Sequence, residues 1–163
     1  MNTDLLKHAP LRARGHLYED FTVGQVLQHH WGRTLNETDN TLFSTLTLHF
    51  NPTYFNARYA QELGYERVPL NPLLVFNTVV GMSVEDLSEV GGPFLGIDQL
   101  VYHQPVYPGE TVYARSTVVA KRESASNPEN GIVSWRTEGF NQDGALVLAY
   151  DRTNLVRKGA PAQ

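Results

Sequence analysis

Between Asn71 and Leu87 the chain reads NPLLVFNTVVGMSVEDL, and its apolar residues fall on nearly every face of a helix. Asn71 is a cap residue, and Pro72 suits the first helical position, where no N–H is needed. A helix that is apolar all round must be covered all round, so this one belongs inside the domain. Gly81 in its interior costs about 1 kcal/mol relative to alanine, which points to close packing against something flat. The rest of the chain has to be arranged around this helix.

After Gly91-Gly92 the pattern changes to strands, expected near 94–104, 111–123, 131–141 and 145–157. Pro108-Gly109, the Asn127 to Gly131 stretch and Gln142-Asp143-Gly144 are the turns between them. Upstream, Val26 to Thr34 reads as one further strand. Asn36-Glu37-Thr38-Asp39 opens a short helix over 37–47. A second short helix runs from Tyr54 to Leu63 and stops at Gly64. This is an α+β layer arrangement, an antiparallel sheet of about five strands wrapped around a central buried helix. At 163 residues it forms a single domain. Residues 1–15 read as a loose arm, 16–158 as the domain and 159–163 as a tail. Such a sheet leaves an edge strand and one face open, which predicts pairing with a second copy, as a homodimer or a larger homo-oligomer.

A net charge of −4 gives no basic footprint, so nucleic acid is not an expected partner. With no cysteine, thiolate chemistry and disulfides are excluded, which fits a reducing, cytoplasmic setting. No apolar run reaches the ~20 residues of a membrane helix, and residues 1–15 lack the apolar core of a secretory signal. His29 and His30 are adjacent on an expected strand and face opposite ways. His16 and His103 have no partner at ligand spacing, so no metal is expected. Nor is there a glycine-rich phosphate loop or a Gly-x-Ser-x-Gly elbow. No cofactor is expected.

The segment Leu48-His49-Phe50-Asn51-Pro52-Thr53-Tyr54 gathers polar side chains around a proline turn. Together with Tyr18 to Gln25, the helix after Asn71-Pro72 and Pro105-Val106-Tyr107-Pro108-Gly109-Glu110-Thr111-Val112, it resembles the MaoC-like dehydratases. These are hot-dog-fold proteins that include the (R)-specific enoyl-CoA hydratases. The resemblance covers about 17–157, and Asp39 to Phe43 is similar to the branch acting on mesaconyl- and itaconyl-CoA. It implies a homodimeric single hot-dog domain that adds water to a 2-enoyl thioester of coenzyme A or an acyl carrier. The family's catalytic segment is Asp-Phe-Asn-Pro-x-His, followed by a His-Gly pair at the start of the central helix. Here His49 stands at the Asp position, Tyr54 at the His position, and Asn71-Pro72 replaces the pair.

Hydration needs a base for water, a proton for C2 and a donor to the thioester oxygen. An imidazole can take the water proton near neutral pH, and a phenol can donate or orient, which makes His49 and Tyr54 the candidate catalytic pair. Each also has a structural reading, His49 as a helix-end group and Tyr54 as a pocket wall. Asn51, Asn71 and Leu73 are the candidate substrate-binding residues. The residues themselves favour a structural role for both, Asn51 bonding its own turn and Asn71 capping the helix. Pro72 has no N–H, so the N–H of Leu73 or Leu74 is expected to meet the thioester oxygen. Arg58 or Arg67 could pair with a distal carboxylate of an unsaturated diacid. Asp39 reads as a helix N-terminal acid, with catalysis the alternative. Two further functions remain open, a hot-dog thioesterase and a catalytically degenerate acyl-binding or partner subunit.

Overall fold

The structure, a computed structural model, describes residues 15–159. The expected arm lies outside the described residues except for Gly15, and the tail except for Gly159. Six strands and three α-helices follow in the order β1 (Val26–Gln28), β2 (Arg33–Thr34), α1 (Glu37–Leu46), α2 (Ala57–Glu62), α3 (Pro72–Leu87), β3 (Phe94–Tyr102), β4 (Thr111–Glu123), β5 (Asn130–Phe140) and β6 (Leu146–Arg157). A 3₁₀ turn at Pro52–Tyr54 precedes α2. The second expected helix, from Tyr54 to Leu63, is therefore a turn plus a shorter helix, because Asn56 starts α2 afresh by accepting from Tyr59 N–H at 3.1 Å.

The sheet order is β1-β4-β5-β6-β3, with β2 also on β4, and all pairings are antiparallel. The expected single N-terminal strand is two pieces. Between them His29 is drawn inward onto Asp86 and Ser116, at 2.6 and 2.8 Å, and Gly32 passes where a Cβ would collide with the Tyr113 ring. Along β5 buried and half-buried residues alternate strictly, as period-2 side chains must when one sheet face lies on a core.

Helix α3 lies across that face. Val75 and Val79 pack with Leu35, Val112, Leu148 and Tyr150, while Leu87 joins a second cluster with Phe21, Val118 and Trp135. Arg152, on β6, donates to Ser83 (3.0 Å) and Ser88 (2.6 Å), tying the far end of α3 to the sheet. Among the described residues only one side of α3 is covered, however. Leu73 is 43% and Val84 38% exposed, and a Cβ on Gly81 would meet nothing within 4 Å. The flat partner expected for Gly81 is thus not among the described residues. Edge strand β3 likewise exposes Phe94, Leu95, Val101 and Tyr102. Its pairing with β6 is interrupted between Asp98 and Val101, where Gln99 adopts φ 53°. No helix among the described residues is long and apolar enough to cross a membrane.

Tyr150 is fully buried, and among the described residues its hydroxyl has no hydrogen-bond partner within ordinary geometry. Thr137 and Ser83 lie nearby, with their hydroxyls bonded to Ser116 and to Val80 and Arg152. Burial pushes the phenol up to about 12, with Arg152 and the nearby Thr137 and Ser83 hydroxyls acting in the opposite direction. The unfolded chain ionises this phenol near 10 while the folded chain keeps it protonated, so between pH 10 and 12 stability falls as pH rises. Tyr150→Phe is expected to be neutral or slightly stabilising at pH 7. In urea titrations at pH 10 to 12 it should lose less stability than wild type, by roughly 1 kcal/mol per pH unit. A clear loss at pH 7 would mean that the hydroxyl is bonded.

Candidate active site

Three local devices bring the polar residues together. At its start α1 has a capping box, in which Asp39 N–H donates to Asn36 Oδ1 and Asn36 N–H to Asp39 Oδ2, both at 3.0 Å. The other Asp39 oxygen accepts from Arg33 at 2.8 Å. Asp39 is thus occupied with holding a helix start. At its end α1 closes with a Schellman motif. His49 N–H reaches Ser44 C=O (2.8 Å), Leu48 N–H reaches Thr45 C=O (3.2 Å), and Leu48 sits in the left-handed region at φ 56°. That reversal delivers His49 back toward its own helix. Next, Asn51 Oδ1 accepts from Thr53 N–H at 3.1 Å and caps the turn that presents Tyr54.

Asn71 joins these pieces to α3. Its Oδ1 accepts from Leu73 N–H at 3.0 Å, the helix cap. Its Nδ2 donates to Ser44 Oγ (3.2 Å) and faces His49 Nδ1 (2.7 Å), too short for a ring carbon in that place. Its backbone N–H donates to Asn40 Oδ1 at 2.7 Å. Asn40 in turn donates to the carbonyls of Tyr54 (2.9 Å) and Pro69 (3.3 Å). Asn40, Ser44 and Asn71 are all buried. The cap fixes which end of the Asn71 amide points where, since turning it over would set NH₂ against the Leu73 N–H. An Asn cap is worth about 1 kcal/mol.

The expected free N–H groups at the start of α3 are not free. Leu73 donates to Asn71 Oδ1, while Leu74 (3.0 Å) and Val75 (3.2 Å) donate to Asn71 C=O. Leu73 contributes its side chain instead, lining a depression of about 540 Å³ with Leu48, His49 and Asn77. Tyr54 lines an adjoining cavity of about 370 Å³ with Tyr65, Pro72, Val75, Tyr102 and His103. The His49 and Tyr54 rings meet edge to face, centroids 5.4 Å apart. Burial raises the Tyr54 phenol above its ordinary value and the neighbouring Tyr65 adds to this; burial and Tyr54 do the same to Tyr102. These phenols are donors at neutral pH, not bases.

Arg58 is 91% exposed along its side chain and pairs with Glu62 at 3.4 Å, while Arg67 lies over the Tyr107 ring at 5.2 Å. Neither lines the Tyr54 cavity. Sequence reasoning missed Asn40, Ser44, Tyr102 and His103. The first two carried a signal, since polar residues four apart share one helix face. Tyr102 and His103 enter only because β3 ends beside the turn of α3.

Residues 2–163 match the mesaconyl-CoA hydratase family. A mesaconyl-CoA hydratase of Haloarcula hispanica is 41% identical over 159 residues, covering 97% of this chain and 44% of that protein. A crystal structure of a MaoC domain protein dehydratase from Chloroflexus aurantiacus superposes with a TM-score of 0.84 at 35% identity, covering 91% of this chain and 43% of that one. A Mycobacterium tuberculosis protein with a double hot-dog fold gives a TM-score of 0.80 at 20% identity, covering 91% of this chain and 46% of that one. The chain therefore has the hot-dog fold and spans less than half the length of these relatives.

The reversal that delivers His49 can be tested without substrate. A leucine in the left-handed region costs on the order of 1 kcal/mol relative to glycine, and Leu48 is 73% exposed, so it has little packing to lose. Leu48→Gly should stabilise the fold by about 1 kcal/mol in urea unfolding. Destabilisation would show that the leucine side chain, not the turn geometry, holds His49 in place.

Proposed function

The chain belongs to the mesaconyl-CoA hydratase family, and from that premise we propose that it is a hydro-lyase, adding water to or removing it from a 2-enoyl thioester of coenzyme A or an acyl carrier. The observation that carries this reading is the edge-to-face pair of His49 and Tyr54 at the start of α3, where the resemblance puts the catalytic segment. An unsaturated diacid such as the mesaconyl group is the substrate class, by analogy with the relatives' names. The reaction is not a redox one and calls for no electron carrier.

Water attacks C3, and the electron pair of the double bond moves through C2 toward the thioester oxygen. C2 then takes a proton. In this reading Tyr54, kept protonated by burial, gives that proton to C2 and recovers one from the water that has added to C3. His49, in ring contact with Tyr54, is the second group at the reacting centre. Arg58 and Arg67, engaged elsewhere, are not assigned to a distal carboxylate, while the polar groups of the Tyr54 cavity are placed to meet one.

The open apolar face of α3 and the edge strand β3 support pairing with a second copy. A cytoplasmic homodimer is the assembly proposed, with nucleic acid and membrane not among its partners. Purified protein should sediment at twice its 18.3 kDa mass and remove enoyl absorbance from crotonyl-, mesaconyl- or itaconyl-CoA. Tyr54→Phe and His49→Ala should each lower turnover by about 10² or more. Release of free thiol with enoyl absorbance retained would replace this reading with a thioesterase. Saturable acyl-CoA binding without turnover would replace it with an acyl-binding subunit.

A further inference from the structure

Addition of water to an enoyl thioester builds negative charge on the thioester oxygen, and a donor aimed at that oxygen is a large part of such catalysis. The start of a buried helix is the ordinary source. Here Pro72 has no N–H, and those of Leu73, Leu74 and Val75 are already bonded to Asn71. The site needs another donor.

We infer that Asn71 is a positioning residue, which holds the neutral His49 ring with its proton on Nε2 so that His49 meets the thioester oxygen as a hydrogen-bond donor. The donor role rests on the hydro-lyase reading, and the tautomer on hydrogen-bond chemistry alone. Leu73 N–H must find an acceptor, so Asn71 Oδ1 faces Leu73 and Asn71 Nδ2 faces His49 Nδ1 at 2.7 Å. An amide NH₂ only donates. His49 Nδ1 therefore accepts, and the single proton of the neutral imidazole sits on Nε2. Among the described residues Nε2 has no hydrogen-bond partner, and the ring borders the open depression beside Leu73. Ser44 takes the second Asn71 amide proton, and Asn40 holds the Asn71 backbone, so the amide is constrained at every polar atom on its side chain and at its N–H. A neutral imidazole donating to a carbonyl is chemically competent to polarise it.

This assigns His49 a different task from taking the proton of water, which would need a lone pair on Nε2. It also separates two roles of Asn71 that are easily confused. Asn71→Asp keeps a good helix cap for Leu73 but puts an acceptor where the NH₂ was. The variant should fold, and His49 should then carry its proton on Nδ1 with a lone pair on Nε2.

The experiment is ¹⁵N NMR of the histidine side chains in the intact protein, with His49→Gln to assign the signal, alongside turnover on the enoyl thioester. The expected result is an Nε2–H tautomer in wild type and an Nδ1–H tautomer in Asn71→Asp. Loss of the donor should lower kcat in Asn71→Asp by about 10² to 10³, with KM changed much less. An Nδ1–H tautomer in wild type would overturn the inference outright. A flipped tautomer with wild-type kcat would overturn the donor role. A wild type with the Nε2–H tautomer but no turnover would instead defeat the hydro-lyase reading, and the donor role with it, leaving the tautomer as a structural fact.

Discussion

A helix that begins inside a domain must satisfy the N–H groups of its first turn without water. In this chain that obligation falls on Asn71, whose Oδ1 accepts from Leu73 and whose C=O accepts from Leu74 and Val75. The same residue then uses its amide protons on Ser44 and His49 and its backbone N–H on Asn40. One side chain thus joins α1, the turn after it and α3. The consequence is chemical as well as mechanical. Because the helix start is satisfied internally it has no donor to offer a ligand. Because the amide oxygen is committed to the cap, the group offered to His49 is a donor. Asn40 adds the last tie, bonding the carbonyl of Tyr54 and so fixing the second ring against the first.

The opposite end of α3 is held differently. Arg152 reaches from β6 to Ser83 and Ser88, and Asp86 meets His29 from the N-terminal strand region. Among the described residues apolar packing between these ends is one-sided, since the outward row of Leu73, Gly81 and Val84 is open. The helix has apolar residues on every face, and the described residues cover only half of it.

Much of the fold was legible because it rests on periodicity. Strands β4, β5 and β6 lie within about two residues of where alternation and turn residues place them, and Asn71-Pro72 marks the start of α3 to the residue. The break between β1 and β2 was not legible, because it depends on His29 finding Asp86, 57 positions away. The candidate site shows the same division. His49, Tyr54 and the caps at Asn51 and Asn71 could be named from local spacing. That Leu73 N–H is engaged, that Asp39 binds Arg33, and that Asn40 and Ser44 complete the cluster all follow from contacts between separate elements. His103 was set aside for want of a metal-ligand partner, yet it borders the cavity of Tyr54 through the end of β3.

The proposed donor to the thioester oxygen is a side chain, His49, and not the helix. The most direct measurement is a crystal structure of the protein with a bound, unreactive saturated acyl-CoA. The thioester oxygen is expected within about 3 Å of His49 Nε2, with the Asn71 cap to Leu73 unchanged. A thioester oxygen seated instead on the N–H groups of Leu73 or Leu74, with the Asn71 side chain displaced, would contradict it.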